Sequence, residues 1–273
     1  MLQGNTTNQG QSLFPLVLVA CMGYILFLAK HHDGFCLWDT KTTDRKVTRS
    51  PLGKDILAGL RKSCDKHGIK LALYFSEGDW TWPGAVDGAG GKGGNNPEMK
   101  KAQLKELLTQ YGPVEYVWFD HAVGDGGLGH KETTAWCHQC QAGCLIGFNH
   151  GDPAGEVRLG ELGRPSSLED VSGAGYGANN AKGYRGYLIA EFTYPILPPH
   201  KGGAMWFYSL PVHDTLCLPA EKLYQDHRGA VKHGNIFSID VGPDYAGRLR
   251  KIDVETLRKV GQMIRGEIPM PVE

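Results

Sequence analysis

The sequence predicts an α/β fold of the (β/α)8-like barrel type, with the barrel incomplete or irregular at the N-terminus. From residue 24 onward, short apolar runs alternate with amphipathic helical patterns, which is the order expected of βαβ units and a parallel sheet. Two of the apolar runs, 24–29 and 114–119, end abruptly in polar residues, as strands do at the active-site rim of a barrel. The length of 273 residues suits one barrel, so we expect a single catalytic domain over 1–273.

The predicted strands are short apolar segments without strict polar alternation. Parallel strands covered by helices on the sheet face are buried and therefore look continuously apolar. A closed barrel of this class has about eight strands, and only 13–20 could add to the strands found here. The candidates are 24–29, 69–75, 114–119, 144–148, 187–192 and 235–241.

Helical patterns lie between these strands and are bounded by ordinary stop and start signals. The first predicted helix ends at Gly68, and the second ends at Gly112 before a proline. The last is expected to begin after Asp253 as its N-cap. Apolar residues at helical spacing cover 56–64, 104–111, about 219–233 and 254–264.

The net charge and the first residues of the chain indicate which partners and which location to expect. Lys plus Arg and Asp plus Glu are both 29, so no excess charge favours nucleic acid or an anionic membrane surface as a partner. Residues 1–11 contain no Lys or Arg, so the positive start of a signal peptide is missing. Pro15 and Gly23 interrupt the apolar stretch that could otherwise resemble a membrane span. We therefore expect no membrane association and favour a cytoplasmic location.

The seven cysteines are an odd number in a long chain, which argues for reduced thiols rather than a disulfide framework. Cys137, Cys140 and Cys144 form the one cluster, and His138 lies inside it. This spacing permits a zinc site, but the surrounding pattern is helical and no second pair follows. We interpret the three residues as half-buried thiols.

Asp120 is the strongest catalytic candidate. It directly follows the apolar run that ends in Trp118 and Phe119, so its carboxylate would be partly desolvated beside an indole. A carboxylate in that position can attack an anomeric carbon or stabilise an oxocarbenium ion. The alternative is an aspartate that caps the next helix, and local pattern alone does not decide between them.

Two adjacent histidines, His31 and His32, follow the first strand. If the strand continued through them, their side chains would point in opposite directions. A metal site would use both together with Asp33, but the sequence offers no convincing further ligands. The pair fits a sugar-binding site or a structural role equally well, and we expect no metal or other cofactor.

Glycoside hydrolysis needs a second carboxyl group besides Asp120. Glu191 is the first choice, because it lies in an apolar segment that would raise its pKa as a general acid requires. The other candidates are Glu77, Glu156, Glu161 and Glu169, each of which is more often a solvated surface charge.

Several motifs in a fixed order resemble the α-L-fucosidases of glycoside hydrolase family 29. The resemblance covers about 24–266 and leaves 1–22 as a divergent segment. The first motif runs from the Lys-His-His-Asp-Gly sequence to Trp38, and a later one is Trp118-Phe119-Asp120. The matching segments are 30–38, 73–76, 79–80, 103–107, 118–120, 240–244, 247–249 and 252–257.

This resemblance implies a (β/α)8-like barrel and a retaining exo-α-L-fucosidase that forms a covalent glycosyl-enzyme intermediate. Asp120 would be the nucleophile and Glu191 the acid/base residue, with transfer of fucose as a further outcome beside hydrolysis. The substrate would be a fucosylated oligosaccharide or glycoconjugate. Residues implied in substrate binding are His31, His32, Trp38, Tyr74, Trp118 and Arg158.

The sequence also departs from the family pattern. The first barrel strands and the β-sandwich that usually follows the barrel have no counterpart here. Missing strands would expose sheet edges and an apolar interior, so we expect a homo-oligomer. Two alternatives to the fucosidase remain open: a catalytically weakened fucose-binding relative, and a metal-dependent barrel hydrolase that uses His31, His32 and Asp33.

Overall fold

The computed structural model describes residues 20–86, 92–122, 124–149, 155–161, 189–200, 206–244 and 246–269. Most of the candidate strand 13–20, the start of the predicted strand 187–192 and the candidate Glu169 lie outside these ranges. The chain divides into two compact units. The first contains 24–159 and 182–189, and the second contains 1–23, 160–181 and 190–273. The single catalytic domain stays a prediction.

Parallel strands form the sheet of the first unit. Neighbours in the chain pair in order from β1 to β5, as expected when each crossover is right-handed and short. Sequence patterns found the first four within two residues of their observed starts. The fifth was missed because two residues are too few to show a period. The strands are β1 (Tyr24–Lys30), β2 (Lys70–Ser76), β3 (Tyr116–Asp120), β4 (Leu145–Phe148) and β5 (Val157–Arg158).

Three helices cover this sheet: α1 (Ile56–His67), α2 (Pro97–Gln110) and α3 (His130–Cys140). The Asp55 carboxylate caps α1 by accepting the Ala58 N–H at 2.8 Å. Gly68, at φ 66°, ends α1 in the left-handed conformation that glycine adopts without strain. The core between helices and sheet is fully or almost fully buried and includes Leu57, Leu71, Phe75, Leu104, Leu107, Phe119 and Ile146.

The second unit contains the parallel pair β6 (Ile189–Pro195) and β7 (Ile236–Asp240) with helices α4 (Ala220–Lys232) and α5 (Lys251–Ile264). Its core joins the outer faces of the strands to both helices, through Phe192, Leu223, Val254 and Leu257.

The predicted N-cap of α5 is wrong. The helix begins at Lys251, and Arg250 is its N-cap. Asp253 lies in the first turn, where both carboxylate oxygens accept from the Arg250 guanidinium at 2.8 and 2.6 Å. This buried bidentate pair links the N-cap residue to the first turn of the helix.

The clustered cysteines are buried thiols. Cys137 and Cys144 have no exposed surface, and Cys140 is half-buried. Burial raises the pKa of all three, that of Cys144 to about 12. Within the described residues, the side chains that could share a metal ion do not include these thiols. No helix in the described ranges is long and apolar enough to cross a bilayer.

Candidate active site

Asp120 lies at the carboxyl end of β3, where side chains from three neighbouring strands converge. The Tyr74 hydroxyl of β2 donates to Asp120 Oδ2 at 2.5 Å. The amide of Asn149, which follows β4, donates to Asp120 Oδ1 at 2.8 Å. Parallel register explains the meeting, because Tyr74 pairs with Trp118 and Ser76 with Asp120. The carboxylate is therefore held in one orientation by donors on both oxygens.

These donors also keep Asp120 ionised. Burial by itself would raise the pKa of Asp120, but the hydrogen bonds from Tyr74, Asn149 and the His121 backbone N–H together lower it. The side chain is only 10% exposed. A desolvated carboxylate that stays charged at neutral pH is the form that a nucleophile requires.

The condition for opposite side-chain directions at His31 and His32, a strand that continues through both residues, is not met. β1 ends at Lys30, and the strand alternation stops with it. The two rings lie together, with centroids 3.9 Å apart. His32 Nε2 is 3.6 Å from Asp120 Oδ2, and His32 Nδ1 is 2.5 Å from Ser76 Oγ. The histidine pair thus borders the carboxylate on one side.

A continuous row of five rings surrounds Asp120. We call Trp118, Tyr74, His31, His32 and His121 the ring row. Successive centroids lie 5.4, 5.7, 3.9 and 3.8 Å apart in that order. Both ends of the row come from β3 and the residue after it, so the row curves around the carboxylate. Apolar ring faces and polar ring edges in such a row suit a deoxygenated sugar, which has both kinds of surface.

The environment of His32 keeps its imidazole neutral. Burial lowers the pKa of His32 to about 3, helped by the charges of His31 and His121, while Asp120 acts in the opposite direction. Burial also lowers the pKa of His31. Neutral imidazoles can both donate and accept, so they can bind sugar hydroxyls of either polarity.

The shifted pKa of His32 predicts a pH-dependent stability. His32 takes up a proton near pH 6.5 when unfolded but only near pH 3 when folded. Between these values the unfolded state binds more protons, so stability falls as the pH decreases from 7 to 4. Urea unfolding at pH 7 and pH 5 should show this loss, and His32→Gln should reduce it. His67→Gln, on the last turn of α1, should not. Equal losses in wild type and His32→Gln would contradict the prediction.

The metal-binding set that the sequence suggested needs a correction. Ligand atoms of His31, His32 and Asp120 lie within 4.8 Å of one another, so Asp120 takes the place given to Asp33. Asp33 instead accepts the Phe35 N–H at 3.3 Å and lies 3.7 Å from the Arg45 guanidinium. The three groups could approach a metal ion together, but the hydrogen bonds on both Asp120 oxygens compete with that use.

Trp38 and Arg158 differ from the other predicted sugar contacts. Trp38 has no exposed surface, and its indole N–H donates to Glu106 Oε2 on α2 at 2.8 Å. Its position in the core gives no support to the prediction that it binds sugar. Arg158 lies in β5, half-buried, with Nη1 3.4 Å from the Leu159 carbonyl, and its role stays a prediction.

Glu191 lies in β6 of the second unit and has no exposed surface. Phe192 and Tyr194 pack in the core of that unit, so strand alternation places Glu191 on the opposite sheet face. Ser238 Oγ of β7 donates to Glu191 Oε1 at 2.5 Å. The acid/base role of Glu191 stays a prediction.

Two of the rival carboxylates take part in structural contacts. Glu77 pairs with the buried ammonium of Lys100. Glu156 accepts the Ile146 N–H at 3.0 Å and lies 3.1 Å from His138 Nε2. The third, Glu161, pairs through its backbone with Thr193 in an isolated parallel β-bridge.

The buried Glu77–Lys100 pair supports the nucleophile strand. The Glu77 N–H donates to the Asp120 carbonyl at 2.9 Å. Three further oxygens surround Lys100 Nζ, the Asp125 carbonyl at 2.7 Å, the Leu128 carbonyl at 3.1 Å and Thr133 Oγ1 at 2.8 Å, and they share its three N–H groups with Glu77. One ammonium group therefore joins α2 to the end of β2 and to the loop that follows Asp120.

Sequence reasoning missed several residues of this site. Asn149 and Ser76 were not candidates because neutral polar residues at strand ends carry no distinctive pattern. His121 was missed although it directly follows Asp120. Trp80, whose ring is 5.5 Å from that of His32, appeared only as part of a motif. Ser76 lies opposite Asp120 through the register of β2 and β3, and the sequence alone carries no signal for that register.

Comparison with known proteins decides the family. The sequence model described as "Alpha-L-fucosidase" matches residues 10–157, more than half of the chain. The chain belongs to the α-L-fucosidase family. Among curated relatives, Alpha-L-fucosidase 1 of Arabidopsis thaliana is 28% identical over 266 residues, 88% of this chain and 48% of that protein. A putative α-L-fucosidase 1 of Oryza sativa subsp. japonica is 37% identical over 137 residues, covering 48% and 25% of the two chains.

Solved structures of α-L-fucosidases share the fold. Isoenzyme 1 from Paenibacillus thiaminolyticus superposes with a TM-score of 0.75 at 22% identity, covering 92% of this chain and 62% of that one. AlfC from Lactobacillus casei, in complex with α-L-fucose, gives 0.69 at 22% identity over 93% and 78%. This likeness confirms the predicted fold class, an incomplete (β/α)8-like barrel. The chain spans about half the length of the Arabidopsis relative.

Proposed function

We propose that this chain is a retaining exo-α-L-fucosidase that hydrolyses terminal α-L-fucosyl linkages of oligosaccharides or glycoconjugates. The observation that carries the proposal is the ionised, desolvated Asp120 at a strand end, held by Tyr74 and Asn149 in a member of the α-L-fucosidase family. AlfC has been solved in complex with an α-L-fucose product, and mutant AlfC with Fuca(1,6)GlcNAc and with 4-nitrophenyl α-L-fucopyranoside, which supports the same substrate class here.

In the proposed reaction, Asp120 Oδ attacks C1 of fucose and the glycosidic C1–O bond breaks, with its electron pair going to the leaving oxygen. Glu191 gives that oxygen a proton. Glu191 then takes a proton from water, whose oxygen attacks C1 and releases Asp120 as a carboxylate. Two displacements at C1 give net retention. The ring row supplies contacts to the sugar, with His31, His32 and Tyr74 offering polar edges and Trp118 an apolar face.

The direct test is the stereochemistry of the first product. Proton NMR during hydrolysis of 4-nitrophenyl α-L-fucoside should show α-L-fucose first, with the β anomer growing only by mutarotation. First appearance of the β anomer would refute retention. Binding of fucose in calorimetry without release from any fucoside would instead select the fucose-binding relative.

The role of Glu191 predicts a dependence on the leaving group. Glu191→Ala should slow cleavage of a fucosyl disaccharide by roughly 10²–10⁴-fold. Its effect on the first step with 4-nitrophenyl fucoside should be much smaller, because nitrophenolate leaves without a proton. Ser238→Ala, which removes the donor to Glu191 Oε1, is the control and should cause a smaller loss. Equal losses on both substrates would remove Glu191 as the acid.

We also propose that the covalent intermediate transfers fucose to acceptors other than water. An alcohol or sugar hydroxyl that replaces water in the second step would receive fucose, so transfucosylation should compete with hydrolysis at high acceptor concentration. The homo-oligomer also stays a prediction.

A further inference from the structure

His121 is the one residue of the ring row to which neither the sequence nor the family resemblance gave a role. It directly follows Asp120 and has φ 53°. Among the residues that the structure describes, the only other non-glycine residue with positive φ is Cys21, at 57°. A side chain in this region is strained, and such strain at a site is held by the structure around it and often serves function.

The left-handed backbone brings the His121 ring onto His32. The two ring centroids are 3.8 Å apart at 27°, while His31 lies against His32 with a centroid distance of 3.9 Å. The His32 ring therefore contacts two imidazoles, with Ser76 Oγ at its Nδ1 and Asp120 at its Nε2 side. A smaller residue at 121 would remove one of these two ring contacts.

Gly78 leaves space for the His121 side chain because it has no Cβ atom. A Cβ atom on Gly78 would lie 2.7 Å from His121 Cβ and 2.8 Å from its Nδ1. The three atoms nearest to that Cβ all belong to His121. The close fit between Gly78 and His121 thus restricts the position of the His121 ring.

We propose that His121 is a positioning residue: its strained backbone and its packing against Gly78 press its ring on His32 and fix the imidazole that faces Asp120. The proposal rests on the proposed function, because positioning of His32 matters for a sugar that reacts at Asp120. His121 itself need not touch the sugar. Its effect on turnover passes through the orientation of His32.

Two variants test this arrangement. His121→Gly removes the ring and the strain, and His121→Asn removes the ring but tolerates the left-handed conformation. Both should unfold at the same or a higher temperature than wild type, with kcat on nitrophenyl fucoside reduced roughly tenfold to a hundredfold and KM changed less. Cys21→Gly is the matched control, since it relieves the same backbone conformation in the second unit and should keep full turnover.

A readout independent of turnover decides the role. In 15N-histidine NMR spectra of the wild type, the His32 ring should give signals of one neutral tautomer, identified by comparison with His32→Gln. In His121→Gly and His121→Asn these signals should shift towards the average of both tautomers. Unchanged His32 signals in both variants overturn the proposal. If the wild type instead releases no fucose, the proposed function fails while the His32 signals still decide this inference.

A double-mutant cycle tests the path through His32 and Gly78. His121→Gly should cost little further turnover in a His32→Ala background, because the group it positions is gone. Gly78→Ala should lower turnover when His121 is present and have little effect in His121→Gly, where the added methyl group meets no ring. Additive losses in both cycles contradict positioning and indicate independent structural roles.

Discussion

Asp120→Ala is expected to lower kcat for 4-nitrophenyl α-L-fucoside by about 10⁴–10⁶-fold, the range seen when a nucleophile is removed. The carboxylate accepts from Tyr74 at 2.5 Å and from Asn149 at 2.8 Å, and no other described carboxylate is held in this way at the end of β3. Sodium azide should restore part of the turnover, because the small anion can occupy the space that the carboxylate leaves and attack C1 from the same side. The product of that rescue is a β-fucosyl azide, detectable by mass spectrometry and NMR.

Two further variants are compared with Asp120→Ala. Asp44→Ala removes an aspartate with an 86% exposed side chain, whose partner is an exposed arginine, and should keep normal turnover. Asp120→Asn keeps the shape of the side chain but loses the charge, so it should be as inactive as Asp120→Ala. Normal turnover in Asp120→Ala, or azide rescue that gives no fucosyl azide, would show that the nucleophile has been misassigned.

Lys100→Met is expected to lower the free energy of unfolding by about 3–5 kcal/mol, the usual loss when one partner of a buried ion pair is removed. Neither the Lys100 ammonium nor the Glu77 carboxylate has exposed surface. Without the ammonium, the Glu77 charge would remain buried without its cation and the Asp125 carbonyl would lose this donor, while the Leu128 carbonyl keeps the Thr133 hydroxyl as a donor. Urea unfolding followed by circular dichroism measures the loss.

The same helix supplies the control for Lys100. Lys105 lies one and a half turns further along α2 and is exposed, so Lys105→Met should change stability by no more than about 0.5 kcal/mol. Glu77→Gln combined with Lys100→Met removes both charges and should be more stable than Lys100→Met alone. If Lys100→Met is as stable as Lys105→Met, the pair does not support the fold around Asp120.

The sequence was sufficient for the longer strands and for the nucleophile candidate because both depend on local patterns. Apolar runs that end in Asp120 or His31 are visible in a single sequence, and Gly68 ends α1 as predicted. The N-cap of α5 was predicted wrongly, since Asp253 satisfies the usual preference at a helix start but pairs with Arg250 instead. Whether an aspartate caps a helix or pairs with a nearby cation depends on the packing around it, which only the structure shows.

The surroundings of Asp120 could not be predicted from the sequence. They depend on the register between neighbouring strands, which a single sequence does not determine. Asn149 and Ser76 come to Asp120 from other strands, and the contact between His32 and His121 requires the left-handed turn after β3. A histidine at positive φ has no sequence signature, because most residues after a strand avoid that conformation. The same holds for Glu191, the candidate for the second carboxyl group. The sequence pattern placed it in an apolar segment, but its contact with Ser238 depends on the pairing of β6 with β7.

The distribution of thiols has a practical consequence for handling the protein. Cys36, Cys64, Cys137 and Cys144 are buried, Cys140 and Cys217 are half-buried, and Cys21 is exposed. Burial raises the pKa of the six shielded thiols, so few of them are in the reactive thiolate form at neutral pH. A maleimide dye or a surface-bound iodoacetamide should therefore react first at Cys21, which makes the native chain suited to site-selective fluorescent tagging or oriented immobilisation.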